Sequence, residues 1–216
     1  MIQNPWKGLA PYREPKDTDE SSYLFCGRDK AARELTSLIK SSLFVTLYGR
    51  TGVGKTSLLE AGVFPMLRPA GYIPVPVRLS MDGADGRMMS FAGCITDAVE
   101  RTVNDIRLTA APVHTDTSDK DYLWEYFATR HFYEGDREVF PVIVIDQFEE
   151  NFSVDKEGTW RLMEQLHSLM DDNKIYPDNY HNETIFRIVL SIREDDLYRL
   201  EDCIDQLNLN DFKFNR

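Results

Sequence analysis

The sequence is short of cysteine, histidine and long apolar runs, and each shortage removes a class of protein. Only three cysteines and four histidines stand among its 216 residues. Cys26, Cys94 and Cys203 are scattered, odd in number and form no C-x-x-C pair, so they outline neither a disulfide framework nor a metal site. They read as reduced structural thiols. No apolar run approaches the roughly 20 residues that span a bilayer, which argues against a membrane partner. The start, MIQNPWKGLAPYREP, has neither a charged n-region nor an apolar h-region, so no export signal is visible. Without export, the Asn182-Glu183-Thr184 sequon reads as chance, and the protein reads as cytoplasmic. Basic charge is also scarce: 25 Lys and Arg stand against 36 Asp and Glu, a formal charge of −11. No run of Lys and Arg forms a surface to neutralise phosphates along a nucleic acid, so no such partner is predicted.

What is present is an ordinary globular composition, 42% apolar and 28% charged, at a length that suits one α/β domain with a full core. The first 24 or so residues are rich in Pro and charge and lack a sustained period. They read as an irregular arm, with the domain proper over residues 25–216. Asp29 is placed to N-cap a helix running to about Ser41, since Ala32, Leu35, Leu38 and Ile39 recur at helical spacing. SLFVTLYG reads as a buried strand, followed by a helix from Lys55 that Gly62 and Pro65 bound or kink. YIPVPVRLS reads as a strand whose prolines place it at a sheet edge. Phe91, Ile95, Ala98, Val99, Val103 and Ile106 mark a helix, TAAPVHTDTSDKD a polar loop, and DYLWEYFATRHFY a short aromatic helix. VFPVIVID is a strand, the segment Trp160 to Met170 an amphipathic helix, TIFRIVLSIR a strand and EDDLYRLEDCIDQL a last acidic helix. Strands alternating with helices indicate a parallel sheet covered on both faces.

Residues 49–56 read GRTGVGKT and fit G-x-x-x-x-G-K-[ST] in full, with a buried strand before and an apolar helix after. Glycines permit positive φ, so successive N–H groups can face inward as an anion nest at a helix N-terminus. Lys55 can reach the β- and γ-phosphates of a nucleoside triphosphate, and the Thr56 hydroxyl can help hold Mg²⁺. The candidate nucleotide-binding set from this loop is Gly49, Arg50, Thr51, Gly52, Val53, Gly54, Lys55, Thr56 and Ser57. Residues 142–150, VIVIDQFEE, supply the complement. Asp146 directly ends an apolar strand, where open α/β sheets bind ligands, and is the candidate second metal-holding group. Gln147 cannot take a proton, Phe148 can pack inward, and Glu149 or Glu150 is the candidate base. The alternative for the two glutamates is a solvated acidic turn.

Guanine is disfavoured as the base. The nearest imitation of an [NT]-K-x-D stretch, Asn173-Lys174-Ile175-Tyr176, lacks its aspartate. No arginine-rich lid of the small-molecule kinases is found. A strand and helix between loop and acid suit the P-loop ATPase branch with an extra central strand.

These residues together resemble a STAND NTPase, a signal-transduction ATPase with numerous domains, and within that class the bacterial novel STAND group. The resemblance spans nearly the whole chain. It rests on Asn4-Pro5-Trp6-Lys7-Gly8-Leu9 leading to Phe25-Cys26-Gly27-Arg28, then GRTGVGKTSLLEAGVFPML, VIVIDQFEE and VLSIRED. It implies a three-layer, AAA-like P-loop fold with a mostly parallel sheet, binding ATP and Mg²⁺. It implies that Phe25, Gly27 and Arg28 lie near the adenine, and that Arg193 is a sensor arginine reaching the γ-phosphate from the strand beside that of Asp146. The bland alternative pairs Arg193 with Glu194 or Asp195. It further implies that Glu149 and Glu150 serve the attacking water. The family's last sheet strand and helical lid have no counterpart before Arg216, so the expected domain is incomplete at its C-terminal end.

Three functions fit. The first is the ATP-binding, slowly hydrolysing module of a signalling or defence switch, which would oligomerise with other copies of a longer protein. The others are a steady-turnover ATPase and a nucleotide-stabilised scaffold without catalysis.

Overall fold

Two apolar runs, residues 140–145 and 187–193, are buried on both faces, and that double burial sets the architecture. The computed structural model describes residues 11–13, 27–79, 89–109, 111, 115–170 and 186–209. The chain first forms α1 (Asp29–Ser41), β1 (Phe44–Gly49), α2 (Lys55–Ser57), α3 (Phe64–Leu67) and β2 (Tyr72–Val77). Then come α4 (Phe91–Thr102), β3 (Asp105–Leu108), α5 (Tyr122–Ala128), β4 (Arg130–Glu134) and β5 (Arg137–Glu138). The last elements are β6 (Phe140–Ile145), α6 (Asn151–Val154), α7 (Lys156–Ser168), β7 (Arg187–Arg193) and α8 (Leu197–Gln206).

Four strands pair in parallel in the order β1-β7-β6-β2. Successive side chains of a strand point to opposite faces, so each inner strand feeds two cores. Val142, Val144 and Val189 pack with Ala32, Leu35 and Ile39 of α1 and with Leu58, Leu59 and Val63 of the helix after the loop. Ile143, Ile145, Ile188, Leu190 and Ile192 pack on the other face with residues of α4, α5, α7 and α8. The result is a three-layer α/β fold around a parallel sheet, as the alternating elements predict. Pro74 and Pro76 fall on the same alternate set of backbone groups in β2, so their missing donors line one edge. Accordingly, among the described residues β2 is the outermost strand on its side. Burial pushes the Cys203 thiol on α8 up to about 11, in keeping with a structural thiol. No helix among the described residues is long and apolar enough to cross a membrane.

Four details differ from the sequence reading. The aromatic helix stops at Ala128, where the Thr129 hydroxyl turns back to Glu125 O at 2.8 Å. RHFYE is instead β4, with Phe132 buried between outward His131 and Tyr133. Ile106 belongs to β3, which completes a three-stranded antiparallel sheet with β4 and β5 that short polar stretches had concealed. Asp29 is the first helical residue rather than the cap, where its charge still suits the helix dipole. Gly62 does not bound the helix after the loop: a π-helical turn over Leu58–Val63 carries it through to Pro65. The widening ends at Val63, two residues before the proline, whose ring removes a donor.

Thr46 of β1 is 4% exposed, and among the described residues its hydroxyl has no partner. A buried hydroxyl left unpaired is costly, and the valine isostere removes it while keeping β-branching. Thr46→Val is therefore expected to stabilise the fold by about 1 kcal/mol, a rise in Tm of about 2–4 °C in a chain of this size. Thermal denaturation measures this; a lower Tm would show that the hydroxyl is bonded.

Candidate functional site

The site begins where β1 ends. Gly52 and Gly54 take φ of 79° and 80°, a left-handed conformation that any side chain would strain. The chain thereby turns from strand into helix within a few residues, and the helical run starts at Lys55 with Gly54 as its cap. Thr51, Gly52 and Val53 are exposed, while Gly54, Lys55 and Thr56 are half-buried. The first-turn N–H groups of a helix have no partner within it, so the loop and helix start present donors to an anion. Lys55 bends back over the loop and its Nζ donates to Gly49 O at 2.8 Å.

The loop is held from outside. Arg28 Nη1 donates to Val53 O at 2.7 Å and to Gly54 O at 3.3 Å. Arg28 thus braces the back of the loop, and a β-carbon on Gly54 would lie 3.4 Å from it. Ser57 is buried, and its Oγ accepts the N–H of Tyr12 at 3.0 Å. One turn along, Glu60 lies 3.8 Å from Arg13. The described part of the arm therefore docks on the helix that follows the loop. Gly27 takes φ of 86° just ahead of Arg28. Phe25 lies outside the described residues, as do the rest of the arm, the 173–176 stretch and the segment after residue 209.

Asp146, at the end of β6, comes to the loop from 90 residues away: Thr56 Oγ1 donates to its Oδ2 at 2.6 Å. Its Oδ1 accepts the N–H of Gln147 at 3.0 Å. That bond accompanies a left-handed backbone at Gln147, φ 56° and ψ 42°, uncommon for a residue with a side chain. The kink turns the chain out of the sheet plane, leaves Gln147 exposed and drives Phe148 fully inward, edge-on to Phe152. Thr56 and Asp146 are hard oxygen donors, and Mg²⁺ characteristically takes one or two such protein ligands plus phosphate oxygens. Their convergence at the loop fits that ion.

The two glutamates of the turn separate. Glu149 is only 6% exposed, and Glu150 is exposed. Glu149 Oε1 lies 3.0 Å from Arg193 Nε, and its Oε2 accepts the backbone N–H of Arg193 at 3.2 Å. Arg193 ends β7 in register with Gly49, so it stands between the loop and the acidic turn. Glu194, the neighbour a local pairing would choose, lies instead 3.8 Å from Arg50. Sequence spacing could not find the Glu149–Arg193 pair, because it depends on β7 lying next to β6. The structure thus gathers Gly49 to Ser57, Asp146, Glu149 and Arg193 at one end of the sheet, with Arg28 behind the loop.

Cavities lie elsewhere, including one of about 310 Å³ with a mixed lining of Phe152, Lys156, Trp160, Arg199, Asp202 and Cys203. The loop needs no such cavity, since a phosphate is held by backbone donors.

Comparison with known proteins agrees with the fold. The fold is similar to that of a solved Walker-type ATPase of Pyrococcus abyssi, with a TM-score of 0.52 at 16% identity over 92% of this chain. At that identity the likeness speaks for the fold, and this chain spans about half of that one, 51%. No curated protein matches the sequence. The model of the Novel STAND NTPase 1 family matches residues 5–211, and the chain belongs to that family, as a nucleotide-binding P-loop module.

Proposed function

We propose that the chain is the ATP-binding module of a cytoplasmic STAND-type signalling or defence switch, holding ATP with Mg²⁺ and hydrolysing it slowly. The hydrogen bond of 2.6 Å between Thr56 and Asp146 carries this reading. It brings a loop hydroxyl and a strand-end carboxylate together where a triphosphate's metal is held in P-loop proteins. In the proposed roles, the N–H groups of the loop cradle the phosphates, Lys55 leaves Gly49 O for the β- and γ-phosphates, and Arg193 meets the γ-phosphate. Thr56 and Asp146 hold the ion, which when bound offsets phosphate charge. Glu149 or Glu150 serves the attacking water. Adenine is favoured because the guanine-reading stretch lacks its aspartate.

Slow turnover is favoured over steady turnover by the state of both acids: the carboxylate oxygens of Glu149 face Arg193, and Glu150 is turned out to solvent rather than held at the loop. A switch needs different affinities for the nucleotide in its two states, and assembly with other copies of a longer protein would supply the second state.

Lys55→Ala is expected to fold as wild type and lose nucleotide binding. With ATP and Mg²⁺ at about 100 times Kd, binding to the native state alone contributes about 2.7 kcal/mol, or roughly 5–10 °C in Tm. Thermal shift alongside circular dichroism tests this. A folded variant that keeps the wild-type shift would overturn the assignment of the loop.

Asp146→Asn is expected to remove the metal dependence of binding. Chelating Mg²⁺ should weaken ATP binding by wild type and leave the variant nearly unchanged. In competition titrations GTP should displace ATP poorly. Equal or tighter binding of GTP would exclude an adenine-selective site.

A further inference from the structure

Glu149 and Arg193 face each other across the ends of β6 and β7, and their contacts are unequal in kind. Glu149 is almost wholly buried, at 6% exposure, whereas the Arg193 side chain is 42% exposed. The carboxylate meets Arg193 twice, through Nε at 3.0 Å and through the backbone N–H at 3.2 Å. Arg193 is thus held at its base and at the inner edge of its guanidinium. Among the described residues, none accepts a hydrogen bond from Nη1 or Nη2. A guanidinium carries five donors in a fixed planar fork, and the two terminal nitrogens suit phosphate oxygens. Register places Arg193 beside Gly49, whose carbonyl holds Lys55. The unengaged fork therefore belongs to the same end of the sheet as the phosphate loop.

We infer that Glu149 is a positioning residue for Arg193 rather than the base that activates water. It anchors the arginine at Nε and leaves the terminal nitrogens for the γ-phosphate. A general base needs a lone pair directed at water within hydrogen-bond reach. Glu149 is buried and directs both oxygens at one residue. Glu150, exposed one position along, is left as the acid for water. The inference deepens the nucleotide-switch reading and rests on it. It makes the Glu149–Arg193 pair the element by which the site tells ATP from ADP.

The two roles for Glu149 predict opposite binding behaviour. Removing a base leaves ATP bound and stalls hydrolysis. Removing an anchor frees the arginine to wander and weakens only the ligand that carries a γ-phosphate. The experiment measures affinity for a non-hydrolysable ATP analogue and for ADP, both with Mg²⁺, in wild type, Glu149→Gln, Arg193→Ala and the double variant. Wild type is expected to prefer the analogue. Glu149→Gln should lose about tenfold in analogue affinity, the scale of one charge-assisted hydrogen bond, with ADP affinity within about twofold of wild type. Since residues that act as a unit are not additive, Glu149→Gln should change analogue affinity by less than about twofold on top of Arg193→Ala.

Analogue binding by Glu149→Gln that equals or exceeds wild type would overturn the inference and return Glu149 to the role of base. An equal loss for analogue and ADP would also overturn it, by showing that Glu149 only supports the fold. A wild type that binds both ligands equally would remove Arg193 as the γ-phosphate reader. If wild type binds neither, the nucleotide reading itself fails, an outcome separate from these because Lys55→Ala would then change nothing.

Discussion

The lateral pairing of β7 between β1 and β6 is the constraint on which the site depends. Among the described residues β7 is the last strand in sequence, yet it pairs with the first on one side and with β6 on the other. This position puts Arg193 in register with Gly49 and within reach of the turn after Asp146. Were β7 at an outer edge, the loop and Asp146 could still meet, but no arginine would stand between them. Such a placement requires long right-handed crossovers, and the helices of those crossovers cover both faces of the sheet. The apolar density of VIVI and RIVLSI follows directly. An inner parallel strand must satisfy two cores at once, and β-branched side chains fit both pleated faces.

That density is why much of the fold was legible in the sequence. Continuous apolar runs announced β6 and β7, and the two prolines announced the edge position of β2. Full agreement with the phosphate-loop pattern, between a strand and a helix, located the loop and Lys55. What stayed hidden shares one physical feature: it is decided by neighbours distant in sequence. β3, β4 and β5 are short and partly exposed, so their alternation hardly stands out from a loop or an aromatic helix. The π-helical turn at Leu58–Val63 meets the helical spacing of a normal helix to within a residue. Arg193 could be placed at a strand end, but its partner was set by lateral register rather than by the adjacent Glu194 and Asp195. The resemblance implies that Arg28 lies near the adenine, but its grip on the carbonyls of Val53 and Gly54 again depends on neighbours distant in sequence.

The bracing of the loop has a mechanical meaning. The loop carries two positive-φ glycines, and glycine loses more backbone freedom on ordering than any other residue. An unsupported loop of this kind would spend much of the binding free energy on becoming ordered. Arg28 gripping two loop carbonyls, and Tyr12 and Arg13 contacting Ser57 and Glu60 on the following helix, fix the surrounding frame before any ligand arrives. Preorganisation of that kind lowers the cost of binding without adding a contact.

Three of the ligand-facing groups already hold a protein partner: Lys55 the carbonyl of Gly49, Thr56 the carboxylate of Asp146, and Arg193 the carboxylate of Glu149. In the proposed nucleotide complex the first two partnerships are exchanged, for phosphate and for the metal ion. An exchange of one hydrogen bond for another yields far less than the gross strength of either. Binding free energy built from such exchanges is moderate, which suits a switch, because a ligand can redistribute two states only by its difference in affinity between them. The third partnership differs, since Nε can stay on Glu149 while the terminal nitrogens turn to phosphate. Here the γ-phosphate adds a contact rather than replacing one. In that proposed complex the net gain therefore concentrates on the one group by which ATP differs from ADP, because only there is a contact added while the loop stays braced and the other contacts are exchanged.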